Sequence, residues 1–379
     1  MLKKILIAIA SIFVISGVYL IWRIQDAKTL ITPYPYFFTE EASKSISSEL
    51  QSAENSKVLI IGDRMAKALD PYIPTINQEL AKTFKTSPKI YNWSTPNEGI
   101  HRAIFKLKSL KKLPPVIIYH GSSTELFEKT FAIEDKSSLF KNFDRFDNEK
   151  IISLIITFPW LSRILYSKMN YIDLGKTKEN VNRLNSYQRI DEAEISFKLY
   201  QYQLSELIEY VKEQKSSLII ITTPLNLETR PKEICSHSTS NQVVEVQQEI
   251  ENLIKEGNFK ESYTKSLELA DATPGNALSF YLLGQSALRL GKTVEAKQAL
   301  FKSTVFDCSH WRGNAVYNAI MRTLGGKNLN TIIDFDQYMA ASINKDGLFM
   351  DDIYPQTIFY QTIIHDLVDS IRLLLSTKS

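Results

Sequence analysis

The chain has 379 residues, which at roughly 150 residues per domain predicts two or three structural units. Hydrophobic residues make up 44% of it and charged residues 23%, a balance that supports a buried core and excludes a wholly disordered chain. The formal net charge of +3 lacks the basic excess of a dedicated nucleic-acid-binding protein. Two cysteines exclude a disulfide-rich scaffold and a four-cysteine zinc site.

The amino-terminal segment has the pattern of a membrane anchor. Two lysines precede an uncharged apolar run of 18 residues at 5–22. As a helix this run is about 27 Å long, close to the ~30 Å hydrocarbon core of a bilayer. It ends on Tyr19 and Trp22, residue types that favour the membrane interface. We therefore expect residues 1–24 to be a single-pass signal-anchor; the alternative is a cleaved signal peptide, which has a shorter apolar core.

The charges beside the run predict its orientation. More basic residues precede it than follow it, so we expect the amino terminus in the cytoplasm. The main domain then lies on the periplasmic or extracellular side of the inner (cytoplasmic) membrane. Residues 25–56 are expected to form a stalk or linker, in which the proline- and aromatic-containing segment 31–38 lies near the bilayer surface.

Short, apolar and β-branched segments alternate with helical patterns after residue 57. This alternation is typical of an α/β fold with a doubly wound parallel sheet, here expected to have five strands. The predicted strands are Val58–Ile61, Lys89–Trp93, Val116–Tyr119, Leu218–Thr222 and Thr331–Phe335. The predicted helices are at 66–85, 97–112, 195–215 and 356–375. The functional crevice of such a sheet lies at the carboxyl ends of its strands.

Two insertions interrupt this pattern. The first, at about 127–194, contains the apolar piece 151–165, which is too short and too broken by proline to span a bilayer. We expect a buried helical lid, with a membrane-surface element as the alternative. The second, at 241–310, carries Gly257 and Gly291 at a distance of 34 residues, the tetratricopeptide period. Two such repeats are too few to be stable alone, so they are expected to pack against the main domain.

Three sequence blocks resemble those of the SGNH (GDSL-type) hydrolases, specifically the subgroup with tetratricopeptide repeats inserted before the last strand. The blocks are VLIIGDRMAKAL (58–69), IIYHGSSTELFE (117–128) and KDGLFMDDIYPQ (345–356). The resemblance implies a flavodoxin-like SGNH domain in two parts, 57–240 and 311–379. It also implies a serine nucleophile in a Gly-Asp-Ser turn, and a terminal Asp-x-x-His-Pro that supplies the base and its carboxylate.

This chain departs from that pattern at both essential positions. The Gly-Asp of the turn matches at 62–63, but Arg64 stands in place of the serine. The terminal aspartate matches at Asp351, but Tyr354 replaces the histidine. Arginine has no hydroxyl with which to attack, and tyrosine, with a pKa near 10, is a poor base. The resemblance therefore implies a degenerate member without catalytic activity.

The block after the third strand carries the residues that would have to replace the lost pair. Gly121, Ser122 and Ser123 stand where the family has Gly-x-Asn, so Ser123 takes the place of the oxyanion-hole asparagine. His120 beside them leaves a displaced serine–histidine pair open. The same residue types are also typical of a structural turn, which is the favoured interpretation.

Arg64 is open to two interpretations. Its guanidinium is suited to clamping a carboxylate or phosphate, or to an internal ion pair with Asp63 or Asp351, and the ion pair is favoured. No cofactor or metal site is predicted. The histidines without a carboxylate or histidine at a ligand-like spacing are His101, His237 and His365.

Cys235 and Cys308 flank the second insertion. In an exported protein they are candidates for a disulfide that closes a loop of 72 residues and contributes ~4 kcal/mol. Two free, buried cysteines are the alternative.

These observations favour a membrane-anchored, exported protein that binds or scaffolds in a cell-envelope complex, with a protein partner at the repeats. One alternative is an esterase or O-acetyltransferase that acts on cell-envelope glycans through a displaced nucleophile. A second alternative is a non-catalytic carbohydrate-binding module. No nucleic-acid partner is expected.

Overall fold

The chain divides into two compact units. The computed structural model describes residues 10–19, 30–34, 49–84, 86–125, 130–169, 186–232, 240–307, 312–343 and 347–377. The amino-terminal unit spans Met1–Phe37 and Thr130–Asp173, and the larger unit spans Phe38–Lys129 and Leu174–Ser379.

The larger unit contains a five-stranded sheet. The strands are β1 (Val58–Gly62), β2 (Ile90–Asn92), β3 (Val116–His120), β4 (Ser217–Ile221) and β5 (Thr331–Ile333). They are arranged in the order β2-β1-β3-β4-β5, and every pair is parallel. The predicted α/β class and the five-stranded parallel sheet are therefore confirmed. This strand order is one in which the ligand crevice lies at the carboxyl ends of β1 and β3.

Helices connect and flank these strands. In chain order they are α1 (Leu50–Glu54), α2 (Arg64–Lys67), α3 (Ile73–Ala81), α4 (Ile100–Ser109), α5 (Lys136–Asp147), α6 (Glu149–Thr157), α7 (Ser162–Leu165), α8 (Ser186–Glu213), α9 (Asn241–Lys255), α10 (Phe259–Ala272), α11 (Ala277–Arg289), α12 (Thr293–Phe306), α13 (Ala315–Lys327), α14 (Phe335–Ala341) and α15 (Gln361–Ser376).

The sheet is buried on both faces, which explains why β1 and β3 are continuously apolar. Because side chains alternate along a strand, Leu59 and Ile61 face one core and Val58 and Ile60 face the other. The first core is completed by α4, α8 and α13, and the second by α3, α14 and α15. All five residues of β1 and of β3 are buried. The carboxyl ends of these central strands are thus held rigidly.

Helices α9 to α12 form two helical hairpins in the second insertion. Gly257 and Gly291 lie in their turns with φ of 81° and 72°, a conformation that glycine adopts without strain. A Cβ on Gly284 of α11 would lie 2.5 Å from Leu300 of α12, so glycine allows these helices to pack closely. Leu300 also packs with Leu225 of the main domain, as the sequence led us to expect.

Helices α1, α13 and α14 of the larger unit lie outside the predicted elements. Helix α1 falls in the predicted linker 25–56, yet Ala53 is fully buried in the sheet core, so the linker boundary at residue 56 is wrong. Helix α13 follows the second insertion and covers the sheet through Tyr317 and Met321. In addition, α8 begins at Ser186, nine residues before the predicted 195.

The amino-terminal unit contains the predicted anchor and residues 130–173 of the first insertion. Residues 10–19 are helical, whereas residues 5–9 and 20–22 of the predicted anchor lie outside the described part. Among the described residues no helix has the length and apolar character needed to cross a membrane. The anchor stays a prediction.

The apolar piece at 151–165 forms α6, a short turn and α7. The expectation of a buried helix is wrong for much of it, because Leu154, Ile156, Phe158 and Ile164 are exposed and Ile155 is buried. Its place as a lid stays a prediction.

Candidate functional site

The site begins at the sharp turn that ends β1. Gly62 has a φ of 133°, and a Cβ at this position would lie 2.0 Å from the carbonyl oxygen of His120 on β3. Only glycine permits this approach of the two strands. Asp63 follows and caps α2, accepting the backbone N–H of Met65 at 2.8 Å on its carboxylate. The turn leaves Arg64, the next residue, exposed to solvent.

The Asp63 carboxylate joins β1 to the loop after β3. Its second oxygen accepts the backbone N–H of Ser123 at 2.8 Å and the Ser123 hydroxyl at 2.6 Å. Both residues are fully buried. Burial raises the pKa of Asp63, and the hydrogen bonds from Ser123 and Met65 oppose this rise. The Ser123 hydroxyl therefore serves to hold a buried carboxylate.

The preceding residues of this loop bind β4 rather than forming an oxyanion hole. The hydroxyl of Ser122 lies 3.0 Å from that of Thr223, which also donates to the carbonyl of Gly121. Thr223 is held in turn by Asn318 of α13, which donates to its carbonyl at 2.7 Å and accepts its N–H at 2.9 Å. Ser122 has a φ of 77°, a left-handed conformation at which few non-glycine residues lie.

His120 is a structural residue. Its Nδ1 lies 3.1 Å from the carbonyl oxygen of Ile221, which only accepts, so the proton of the neutral ring is on Nδ1. Its Nε2 lies 3.4 Å from the hydroxyl of Tyr360. Burial lowers the pKa of His120 to about 3, so the ring is neutral at physiological pH. No hydrogen bond joins His120 to Ser122 or Ser123 in the described part of the chain, where all three side chains are bonded to other groups.

Arg64 and Tyr354 lie in contact, as the resemblance leads us to expect for the nucleophile and base positions. The guanidinium carbon lies 4.2 Å from the centroid of the Tyr354 ring. In the described part of the chain Arg64 makes no ion pair with Asp63 or Asp351, so that expectation is wrong. Asp63 is fully buried, and the Asp351 carboxylate accepts hydrogen bonds from the backbone of its own turn.

Asp351 shapes the loop that carries Tyr354. One of its carboxylate oxygens accepts the backbone N–H of Ile353 at 2.8 Å and that of Tyr354 at 2.7 Å. This closes a tight turn and presents the Tyr354 ring to Arg64. Burial and the charge of Asp63 raise the pKa of Tyr354, although Arg64 and Ser123 oppose the rise. The phenol therefore stays protonated near neutral pH and is a poor general base.

A buried ion pair, which the sequence pattern did not predict, joins Glu98 in the loop after β2 to Lys106 of α4. Lys106 donates to Glu98 at 2.5 Å and to the Trp93 carbonyl and the Thr95 hydroxyl, each at 2.8 Å. Three acceptors match the three donors of its ammonium group. A lysine on an otherwise apolar helical face was the only signal for this pair.

The described residues do not assemble a metal site. No group of three or more histidine, cysteine, aspartate and glutamate side chains in that part of the chain is placed to hold a metal ion. His365 does have a carboxylate nearby, contrary to expectation: its Nε2 lies 3.3 Å from Asp369, one helical turn on. This pair is exposed on α15. Cys235 and Cys308, the cysteines of the predicted disulfide, lie outside the described residues, as does His237.

A cavity of about 630 Å³ borders the Tyr354 loop. Its apolar wall includes Leu227 and Ile343, and its rim is charged. Lys232 and Asp352 face each other across the rim, with 3.2 Å between the ammonium nitrogen and the carboxylate. Small-molecule binding sites typically have a cavity of this size, with an apolar lining and a few polar groups.

Helices α9 and α11 contact the chain segment that lines one wall of this cavity. Tyr281 of α11 donates its hydroxyl to the carbonyl of Glu228 at 3.1 Å, and Arg230 pairs with Glu251 of α9 at 2.6 Å. Both Glu228 and Arg230 line the cavity. The helical hairpins therefore contact one wall of the cavity.

Comparison with known proteins adds no family to this geometry. No protein-family model matches the chain, and no curated protein sequence matches it significantly. The resemblance to the SGNH hydrolases therefore rests on the three short blocks alone.

Proposed function

We propose that this chain is a membrane-anchored, exported SGNH-like protein without hydrolytic activity, which binds or scaffolds in a cell-envelope complex. The observation that carries the proposal is the contact of Arg64 with Tyr354 at 4.2 Å, at the place where a hydrolase of this type needs a serine and a histidine. A permanently charged guanidinium against a protonated phenol provides neither nucleophile nor base.

The interior of the crevice supports this proposal. The Ser123 hydroxyl donates to Asp63 and is fully buried, so a substrate carbonyl has no access to it in this conformation. His120 is buried too, and its lowered pKa leaves little affinity for a proton near neutral pH. The polar groups that the crevice retains hold the strand ends together.

The recess beside the crevice supports binding. We propose that helices α9 to α12 are a tetratricopeptide-like pair and that a protein partner docks where they meet the cavity of about 630 Å³. The rim residues Lys232 and Asp352 are both about half exposed.

Co-purification from detergent-solubilised native membranes tests this proposal. Lys232→Glu places two acidic groups together on the rim, and we expect it to lower the yield of the partner that accompanies the wild-type protein. The matched control is Lys82→Glu, which breaks another exposed lysine–carboxylate pair, at the end of α3 and outside the lining of the cavity. Equal partner yield with both variants would contradict the binding site. Release of the partner by soluble glycans would instead favour the carbohydrate-binding alternative.

A further inference from the structure

The amino-terminal unit exposes an unusual number of apolar side chains. Leu154 and Ile156 of α6, Phe158 in the following turn and Ile164 of α7 are all exposed, the last at 65% of its surface. We call these four side chains the α6–α7 surface. Only Ile155 of α6 is buried. A helix that is apolar on most sides but buried on one is expected to meet a second apolar phase, either a partner or a membrane.

The segment that follows the predicted anchor is bound to this same part of the unit. The backbone N–H of Leu30 donates to the Ser162 hydroxyl at 3.1 Å, and the hydroxyl of Tyr166 donates to the carbonyl of Ile31 at 2.9 Å. Tyr34 and Tyr166 are buried beside these bonds. Leu30 is thus joined to the start of α7, 132 positions away in the sequence. Ile31 is joined to the end of α7, 135 positions away.

Chain length then limits how far the α6–α7 surface lies from the bilayer. The apolar run predicted to span the membrane ends at Trp22, and residues 23–29 separate it from Leu30. Seven residues reach at most about 25 Å even when fully extended. The hydrogen bonds of Leu30 and Ile31 therefore tether α7 within that distance of the membrane surface.

We propose that the α6–α7 surface inserts into the interface of the bilayer that the predicted anchor spans. This inference rests on the anchor in the proposed function, because the tether supplies the proximity. The flanking charges are mixed, with Glu149 and Lys150 at the start of α6 and Arg163 in α7. Binding therefore comes from burial of the apolar side chains rather than from attraction to anionic headgroups, so zwitterionic lipid is sufficient.

Environment-sensitive fluorescence on the full-length chain tests this proposal. The protein is reconstituted in phosphatidylcholine vesicles with a nitrobenzoxadiazole label on Ile156→Cys, at a residue that is 63% exposed. The matched control is Val294→Cys on α12, an apolar residue that is 70% exposed in the other unit. The parent chain, treated with the same label, gives the blank for its own cysteines. Ile164→Cys repeats the test at a second position.

We expect headgroup-level spin-labelled lipid to quench the label at position 156 about twofold or more relative to the label at position 294, because an interfacial side chain lies among the quenchers. Equal quenching at the two positions would overturn the inference. Shielding of position 156 that depends on protein concentration rather than on lipid would assign the surface to a second copy and also overturn it.

Carbonate extraction of the same vesicles separates the two claims. A chain that resists extraction but shows equal quenching retains the anchor and loses the α6–α7 contact. A chain that is extracted loses the anchor, and the inference falls with it.

Discussion

The crevice has a buried layer and an exposed layer, and the polar side chains of the two layers differ in how they are bonded. In the buried layer, Asp63, Ser123 and His120 are fully enclosed and bonded to the strand ends. In the exposed layer, Arg64 faces solvent, and its guanidinium carbon lies 4.2 Å from the centroid of the Tyr354 ring. The buried layer therefore maintains the fold, whereas the exposed layer is free to change without loss of structure.

Under the proposed function, this difference accounts for a crevice that keeps its structure without hydrolytic activity. Burying a polar group is costly unless it is hydrogen-bonded, so Asp63 and Ser123 are fixed as a pair by stability alone. No comparable cost restrains an exposed side chain. In the proposed function, an arginine in place of a serine at position 64 removes the nucleophile and leaves the hydrogen bonds between Asp63 and Ser123 intact.

The largest effect is expected at the strand turn of the buried layer. Gly62→Ala places a Cβ 2.0 Å from the His120 carbonyl at a φ of 133°. We expect a loss of about 4 kcal/mol or more in the free energy of unfolding, measured by urea denaturation. Gly326→Ala is the control, because it adds a methyl group to open space on α13 and should gain about 0.5 kcal/mol. Similar stability of the two variants would show that the strands do not approach so closely.

Because His120 is buried and neutral, we expect the free energy of unfolding to fall at acidic pH. The pKa of His120 is lowered from 6.5 to about 3, so the unfolded chain takes up a proton below pH 6.5 while the folded chain does not. Its contribution to stability is complete above that pH and is lost as the pH falls toward 3. Between pH 7 and 4.5 this amounts to roughly 2–3 kcal/mol.

The measurement compares the pH dependence of unfolding in the wild type and in His120→Gln, which keeps a donor for the Ile221 carbonyl. The variant should lose less stability on acidification. The raised pKa of Asp63 acts in the opposite direction, since its protonation at low pH favours the folded state, but this contribution is common to both proteins. Parallel pH profiles would place His120 in contact with solvent.

A smaller loss is expected when the hydroxyl that holds Asp63 is removed. Ser123→Ala deletes the 2.6 Å bond to a buried carboxylate and should cost about 1.5–3 kcal/mol by thermal or chemical unfolding. Thr264→Ala removes an exposed hydroxyl on α10 and should change stability by less than about 0.5 kcal/mol. A Ser123 variant as stable as the control would argue that this hydroxyl is free for another role.

The smallest effect is expected in the exposed layer. Arg64→Ala removes a cation–π contact at the surface, which is worth about 0.5–1 kcal/mol. Arg64→Lys keeps the charge and should lose less. A loss above about 2 kcal/mol would mean that Arg64 is a structural plug and that the two layers are not distinct.

Much of the sheet is predictable from the sequence because its central strands carry continuous runs of β-branched residues. Helix α13 is not, because Gly325 and Gly326 near its end disfavour a helix by about 1 kcal/mol each. Gly325 is needed there for packing, since a Cβ would lie 3.0 Å from Ile332. A tertiary contact thus outweighs a local preference.

The contact of the exposed Arg64 with the buried Tyr354 was predictable, whereas the buried bond of Asp63 to Ser123 was not. Arg64 and Tyr354 were placed together by the sequence blocks. The bond between Asp63 and Ser123 joins residues 60 positions apart and depends on the register that pairs Gly62 with His120. The docking of residues 30–34 on α7 spans an even longer separation, for which the local pattern holds no signal.

Labelling with a fluorophosphonate probe tests the central claim most directly, because the probe reacts only with an activated nucleophile. The unmodified full-length chain should show no labelling and no turnover of p-nitrophenyl acetate. The double variant Arg64→Ser, Tyr354→His is the positive arm, and we expect weak labelling. The buried Ser123 supplies no oxyanion donor, and one such donor is worth about 3–4 kcal/mol. Stoichiometric labelling of the unmodified chain would contradict the account, and the labelled residue would identify the nucleophile.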